Sequence, residues 1–319
     1  KINEEITFTI TIEESAQSGI YILGVGCTCI DKAITMPSPN KRKLRLMTFL
    51  APGIPLALYQ TYQYYLEEVL GVEVLLTVES RWSVPPPERK DPLTADDADI
   101  VFCCSTGLLR FKEEKNQYAE FLPVAPIHIH PKSELRPIYF SDLILSSDKS
   151  KELYKEFKDL KGTIFAYNDE NSLSGSVSVL TELKRLGYNS TFFGTVVHSG
   201  SHHNSIEMVM QNRADVAAID SNVLQGFFVQ RPELKDEIFV FKSLGPFPIQ
   251  PVMVNARLPV EMKEKIRDAF LKMNETKKWN DELAKFSVWG FKPTDISLYE
   301  NEVLIREVVK DQRIKSAYY

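Results

Sequence analysis

The sequence predicts an α/β fold with a parallel or mixed sheet, because short apolar strands alternate with amphipathic helices from Leu44 onward. Two further observations support this prediction. Residues 99–104 are almost wholly apolar, as expected for a strand that is buried on both faces of a parallel sheet. The chain has 319 residues, which suffices for two domains at roughly 100–200 residues each.

The predicted elements follow from periodicity and from the residues that end them. Residues 55–70 carry an apolar stripe and are followed by Gly71, which is typical of a helix end. A second helix, 174–186, ends in the same way at Gly187. The predicted strands are 44–50, 72–78, 99–104, 121–129, 138–145, 162–167, 192–197, 216–220 and 252–255. The other predicted helices are 152–160, 204–212, 260–274 and 277–286.

Residues 1–43 lie outside this alternation of strands and helices, and we predict that they form an N-terminal extension of unknown role. Residues 6–12 and 19–30 have strand patterns, and residues 37–43 are typical of a linker. Residues 20–27 loosely resemble a lipoprotein signal that ends at a cysteine, but glutamates precede them where a signal is positive. Because the chain begins at Lys1, we expect that a leader was removed or cut away, and an anchor through that removed segment is one alternative.

The composition narrows the class of protein. Hydrophobic residues make up 44% and charged residues 25%, which is ordinary for a soluble globular chain. The net charge is 38 − 43 = −5, which argues against a nucleic-acid partner held through phosphates. No uncharged apolar run reaches the roughly 18 residues of a membrane-spanning helix. Four cysteines are too few for a disulfide scaffold, so we interpret Cys27, Cys29, Cys103 and Cys104 as small buried thiols.

Residues 167–175 join a predicted strand to a predicted helix and give the best local signal. Ser172 and Ser174 are good N-cap residues, and Gly175 lets the backbone come close to a ligand. Free amides and a positive dipole at the start of a helix favour an anion. The segment therefore predicts an oxyanion site, with an ordinary helix cap as the alternative.

Residues 197–203 repeat this layout and end in two histidines. His202 could donate to an oxyanion, and a solvated loop histidine is the alternative. A metal site built on His198, His202 and His203 has no common spacing. His128 and His130 lie two apart on a strand, and packed or solvated side chains explain them better than a metal pair.

Asp220 ends a predicted strand, at the edge where open α/β sheets bind ligands. A carboxylate at an anion site is consistent with a protonated ligand, because Asp220 can accept a hydrogen bond from P–OH. Fully deprotonated anions would then be repelled. The alternative interpretation is a capping aspartate.

Several segments, in this order, resemble the phosphate/phosphonate-type substrate-binding proteins of ABC importers. The resemblance runs from about Leu44 to Tyr299. It rests on eight short motifs. They are YLEEVLGV from residue 65, ADIVF from 98, YFS from 139, DLKG from 159, SLSG from 172, GSH from 200, ADVAAIDS from 214 and WGFKP from 289. The resemblance implies a two-lobed type 2 periplasmic-binding-protein fold with a ligand cleft between the lobes and hinge closure around ligand. It implies lobe one at 44–142 plus 246–319 and lobe two at 143–245.

The resemblance also implies a site and a function. It implies high-affinity binding of a phosphonate, phosphite or phosphate for import, by a monomer that docks on an ABC permease in the periplasm or outside the cell. No cofactor, metal or nucleic acid is expected. Leu173 stands where the family commonly has threonine, Asn222 where some members have glutamate, and residues 83–97 replace a short helix. The implied ligand-binding residues are Trp82, Ser105, Thr106, Tyr139, Ser172, Leu173, Ser174, His202, Asp220 and Asn222.

Two alternatives from other classes remain at this point. A ligand-binding sensor or extracellular receptor domain of the same fold would account for the N-terminal extension. An enzyme would need a constellation such as Ser201, His202 and Asp220, but the chain lacks a G-x-S-x-G elbow, so no catalysis is expected.

Overall fold

The computed structural model describes residues 43–51, 53–81, 84–86, 88–147 and 153–316. The strand patterns at 6–12 and 19–30, most of the linker at 37–43, and Cys27 and Cys29 lie outside these residues. So does Trp82. In the part that is described, no helix combines the length and apolar character that a bilayer crossing needs.

The first lobe is built around a five-stranded sheet in the order β2-β1-β3-β11-β4. β1 pairs in parallel with β2 and β3, whereas β11 runs antiparallel to β3 and β4. All three β3 residues are buried, as the apolar sequence of that segment predicts. The strands are β1 Lys43–Thr48, β2 Glu73–Val78, β3 Ile100–Phe102, β4 Ala119–Phe121 and β11 Val252–Asn255.

The second lobe is built around another five-stranded sheet, in the order β10-β6-β9-β7-β8. β7 pairs in parallel with β8 and β9, and β6 runs antiparallel to β9 and β10. Because Ser141 of β6 lies opposite Asp220 of β9, these two residues lie at the same end of the sheet. The strands are β6 Ile138–Ser146, β7 Ile164–Tyr167, β8 Thr195–His198, β9 Val216–Asp220 and β10 Ile238–Pro248.

A short ribbon and a set of helices complete the fold. β5 Val124–His128 pairs antiparallel with β12 Val288–Pro293. The chain passes from the first lobe to the second between β5 and β6, and returns between β10 and β11. The helices are α1 Leu56–Leu70, α2 Ser105–Glu113, α3 Ser178–Arg185, α4 His202–Met210, α5 Ser221–Gln230, α6 Val260–Lys272, α7 Lys277–Ala284 and α8 Glu300–Val309.

Gly71 ends α1 with a φ of 65°, in the left-handed region, and its amide bonds to the Glu67 carbonyl, as the sequence predicts. Tyr62 of the same helix packs its ring against Phe102 of β3, with ring centroids 5.5 Å apart. This aromatic contact fixes the helix on the sheet, and with it the loop between β1 and α1.

Several element predictions were wrong in detail. The predicted strand 121–129 is broken into β4 and β5. Within the predicted helix 152–160 the structure has a 3-10 turn, Phe157–Leu160, and the predicted helix 174–186 begins with a π-helical turn. Helices α2, α5 and α8 and strands β10 and β12 were missed.

Candidate oxyanion-binding cleft

The segment 168–177, here called the serine loop, ends in a π-helical turn, Leu173–Val177, that continues directly into α3. Ser172 caps this turn, since its Oγ accepts a hydrogen bond from the Gly175 amide at 3.0 Å. Ser174 is buried within the turn. A π-helical turn is rare and often marks a functional site, because it re-aims the side chains that it carries.

Two hydroxyls hold the Ser174 peptide in place. Ser141 Oγ donates to the Ser174 carbonyl at 2.6 Å, and Ser178 Oγ donates to the same oxygen at 2.9 Å. Since Ser141 also lies opposite Asp220, it connects the serine loop to the end of β9. The position of Ser174 is therefore set by groups from two elements of the second lobe.

Gly175 allows the chain to pass close to Asn168. A Cβ at position 175 would lie 1.8 Å from Asn168 Oδ1 and 3.1 Å from Ser172 Oγ. No side chain larger than hydrogen fits this contact unless the Asn168 side chain or the loop moves. The glycine predicted for close ligand approach thus also gives room to the protein's own Asn168 side chain.

His202 begins α4, whose N-cap is Ser201; the Ser201 Oγ accepts from the Asn204 amide at 3.0 Å. The His202 Nε2 lies 3.3 Å from Ser174 Oγ, so the two sequence motifs meet. Burial of the ring lowers the pKa of His202 to about 3, with a smaller contribution from His203. The imidazole is therefore neutral at physiological pH, and its buried Nδ1 has no hydrogen-bond partner among the described residues.

Asp220 lies in a buried chain of polar side chains with Gln250 and Asn222. Gln250 Nε2 donates to Asp220 Oδ2 at 2.7 Å, and Asn222 Nδ2 donates to Gln250 Oε1 at 3.2 Å. Asp220 Oδ1 accepts from the Asn222 amide at 2.8 Å and so caps α5. Both amide side chains can rotate to exchange donor for acceptor, so the chain can satisfy either a carboxylate or a carboxylic acid.

Burial raises the pKa of Asp220 to about 7, and the Asp142 carboxylate adds to this rise. The Asn222 and Val223 amides and the Gln250 side chain act in the opposite direction. Near neutral pH the Asp220 carboxyl thus exists in both protonation states. The protonated form can donate a hydrogen bond, and the ionised form can only accept one.

The remaining predicted residues lie on β6, at the start of α2 and in the serine loop. Tyr139 is buried on β6 opposite Phe247, and burial together with the Asp220 charge raises its pKa well above the usual value. Ser105 is buried at the start of α2, as is Leu173 in the serine loop. Thr106 Oγ1 accepts a hydrogen bond from Arg306 Nη2 at 2.9 Å. Trp82 lies outside the described residues.

The structure does not assemble the serine hydrolase triad considered from the sequence. Ser201 Oγ faces the Asn204 amide, and both Asp220 oxygens are engaged by Asn222 and Gln250. Ser174, which does contact His202, has a partner imidazole whose pKa is too low for a general base at neutral pH.

Packing accounts for His128 and His130. Burial lowers the pKa of His128 to about 4. His130 stacks on Phe140 with ring centroids 4.5 Å apart, and its Nε2 lies 3.7 Å from Asp142 Oδ2. No group of three or more histidine, cysteine or acidic side chains arranged to hold a metal occurs in the described part of the chain.

Sequence reasoning missed Ser141, Gln250 and Arg306. Ser141 lies inside the quoted YFS motif, but nothing in that motif indicates that its hydroxyl reaches another strand. Gln250 stands between Pro248 and Pro251 in the return crossing, and only the fold brings it to Asp220.

The match to a protein-family model decides which family the chain belongs to. Residues 53–299, well over half of the chain, match the family model of the ABC transporter, phosphonate, periplasmic substrate-binding protein. The chain belongs to this family. It is therefore a substrate-binding component that takes a small molecule and works with an ABC transporter, in a family of periplasmic binding proteins.

Several solved structures share the fold of this chain. A binding protein component of an ABC phosphonate transporter from Pseudomonas aeruginosa superposes with a TM-score of 0.67 at 16% identity, over 86% of this chain and 90% of that one. PhnD1 from Prochlorococcus marinus, in complex with methylphosphonate, gives 0.67 at 15% identity, over 86% and 100%. A Xanthomonas citri protein bound to ATP gives 0.57 at 17% identity, over 84% and 98%.

No curated protein matches the sequence. At these identities the solved structures show the two-lobed fold of the substrate-binding protein and nothing about its ligand. The ligand has to be argued from the side chains of the cleft.

Proposed function

We propose that this substrate-binding protein captures a small phosphorus oxyanion, a phosphonate, phosphite or phosphate, in the cleft and delivers it to an ABC permease. One observation carries the proposal. Ser174 Oγ and His202 Nε2 lie 3.3 Å apart, and each belongs to the first turn of a different helical segment. Such a pair offers two polar groups to one oxygen, at the N-terminal ends of two helical segments, where the positive end of the helix dipole favours an anion.

In this proposal the dipoles of helical segments stabilise the negative charge of the ligand. Because His202 is neutral, its ring contributes a hydrogen bond without a positive charge. The negative charge is stabilised by the N-terminal ends of the serine-loop turn and α4, and by that of α5 behind Asp220. Hydrogen bonds to an ionised oxygen in a site shielded from water are of the strong kind.

Asp220 supplies the selectivity in this proposal. When ionised, it accepts a hydrogen bond from a P–OH group and repels a ligand that has lost that proton. When protonated, it donates to a ligand oxygen instead, and Gln250 and Asn222 can rotate to match. Sulfate carries no proton near neutral pH, so it should bind less well than a monoprotonated phosphorus oxyanion.

Alanine at Ser174 or at His202 should raise the dissociation constant at least tenfold, about 1.4 kcal/mol, because each loses one hydrogen bond to the oxyanion. Isothermal titration calorimetry on refolded, ligand-free protein measures this. His198→Ala is the matched control, since His198 lies in the same segment but is exposed at the end of β8. Unchanged binding in both Ser174→Ala and His202→Ala would remove this assignment of the site.

The ligand class is tested with the same calorimeter. Phosphate, phosphite, methylphosphonate, aminoethylphosphonate and sulfate are titrated in turn. Micromolar or tighter binding of one phosphorus oxyanion, with sulfate excluded, supports the proposal. If none of the five anions binds, the proposal is contradicted, and only the fold and the family membership remain.

We further infer that the protein acts as a monomer and is neither an enzyme nor cofactor-dependent. The Ser174–His202 contact lacks a carboxylate partner for the His202 ring among the described residues, so it suits hydrogen bonding better than proton transfer. Incubation with aminoethylphosphonate, followed by phosphorus NMR, should return the ligand intact. Release of phosphate would refute the binding-only assignment.

A further inference from the structure

The C-terminal helix α8 runs from one lobe to the other. Tyr299, directly before it, is buried in the core of the first lobe with Val101, and its hydroxyl donates to the Ile249 carbonyl at 2.8 Å. Val309, near the end of α8, is buried in the core of the second lobe with Phe165. The helix is thus a third connection between the lobes, in addition to the two crossings that flank the second sheet.

Arg306 stands in the middle of this connection and bonds to both lobes. Its Nη2 donates to Thr106 Oγ1 of α2 at 2.9 Å, and its Nη1 donates to the Asn171 carbonyl of the serine loop at 2.8 Å. Asn171 directly precedes Ser172, the cap of the π-helical turn. One guanidinium therefore joins a candidate ligand residue of the first lobe to the candidate oxyanion loop of the second.

Glu302 fixes the guanidinium in this position. Its side chain is wholly buried, and its Oε1 accepts from Arg306 Nε at 2.8 Å, one turn along the helix. Its Oε2 is buried without a hydrogen-bond partner among the described residues. A buried carboxylate destabilises the fold unless a positive charge pairs with it, so the ion pair fixes the position of Arg306. The N–H groups of Arg306 that do not bond to Glu302 are available to other residues.

We propose that Arg306 is a positioning residue that latches the two walls of the cleft together and so slows ligand release. This inference rests on the proposed function only for its ligand readout, because the bonds to Thr106 and Asn171 are made between the protein's own groups. Opening the cleft about its hinge requires the bond to Thr106 or the bond to Asn171 to break. Hydrogen bonds of a charged donor at such a contact act mainly on the dissociation rate.

The test uses Arg306→Lys in the full-length chain. Lysine keeps a positive charge beside Glu302 but cannot form the planar fork to both lobes. Arg313→Lys is the matched control, because Arg313 pairs with Glu170 of the same serine loop at 2.7 Å without reaching the first lobe in its ion pair. Thr106→Val is a second variant, which removes the acceptor on the first lobe and leaves Arg306 and Glu302 paired.

Distances between the lobes are measured by electron paramagnetic resonance, with labels on unnatural amino acids at the exposed positions Lys112 and Glu207. Without ligand, Arg306→Lys and Thr106→Val should both shift the distances to longer values, and Arg313→Lys should not. With methylphosphonate, Arg306→Lys should release the ligand about tenfold faster at an unchanged melting temperature.

A wild-type distance distribution in Arg306→Lys and Thr106→Val would overturn the latch. So would a shift of equal size in Arg313→Lys. If methylphosphonate and the other oxyanions fail to bind but the distances shift as expected, the latch is supported and the proposed ligand class is wrong. If the ligand binds but the distances do not shift, the ligand class is supported and the latch is wrong.

Discussion

Alanine in place of Gly175 should weaken binding of the oxyanion roughly hundredfold or more, about 2.8 kcal/mol. The added Cβ would lie 1.8 Å from Asn168 Oδ1, far inside van der Waals contact. Asn168 directly follows β7, so either its side chain or the serine loop has to move. Movement of the loop displaces the Ser172 cap and the Ser174 side chain, which the proposed site needs in one fixed geometry.

The same clash should destabilise the fold by roughly 1–3 kcal/mol, the usual cost of overpacking. Calorimetric titration and urea unfolding measure the two effects on one preparation. Asn168→Ala provides the matched rescue, because Asn168 Oδ1 is buried without a hydrogen-bond partner in the described part of the chain. The double variant Asn168→Ala/Gly175→Ala should recover most of the binding. Failure of the rescue would show that Gly175 acts through something other than this contact.

Asparagine in place of Asp220 should stabilise the ligand-free protein at alkaline pH by at most about 4 kcal/mol. The folded pKa of about 7 lies above the ordinary value of 3.8. Between these values the folded state holds a proton that the unfolded state has lost, so the free energy of unfolding of the wild type falls as the pH rises from about 4 to about 7. At 1.36 kcal/mol per pH unit the difference reaches the stated limit.

Urea unfolding at a series of pH values between 4 and 9 measures this slope. Asp220→Asn should lose it, because the asparagine amide is neutral throughout and Gln250 can rotate to accept from it. Equal slopes in the two proteins would contradict a buried, proton-holding Asp220. Glu182→Gln gives a control of opposite sign. Arg185 lowers the pKa of Glu182 from 4.5 to about 2, so its stabilisation is lost as the pH falls through this range, and the series for this control is extended down to about pH 2.

Asp220→Asn should also change the pH dependence of ligand binding. In the wild type, methylphosphonate binding should weaken as the pH rises from 6 to 9, because both the ligand and Asp220 lose their protons and repel each other. The variant keeps no charge at this position, so its affinity should vary less over the same range. A steeper fall in the variant would exclude Asp220 as the group that senses the ligand proton.

Local patterns were enough to predict much of the fold. The stripe in α1 and the left-handed end at Gly71 were predicted, because both depend on residues that are close in the chain. The strand β11 was predicted with its exact bounds, since Pro251 marks its start. The short strands β4 and β5 were predicted as one, because a single apolar run contains both and the break between them is set by their different partners.

In the candidate site, too, the residues were predicted from local patterns, whereas their contacts depend on the fold. Ser172, Ser174 and His202 were selected because each stands at the start of a predicted helix, and capping chemistry is local. That Ser174 and His202 meet, 28 residues apart in the chain, is a result of the parallel pairing of β7 and β8. The ligand roles of these residues remain predictions until binding is measured.

The sequence by itself determined the alternation of strands and helices, the helix ends and the polar residues that stand there, because each depends on the chemistry of a few neighbouring residues. Only the tertiary structure decided that Gln250 pairs with Asp220 and that Arg306 joins Thr106 to Asn171. It also decided that the pKa of Asp220 is raised to about 7. Burial and long-range hydrogen bonds set these properties, and both arise only when distant segments pack together.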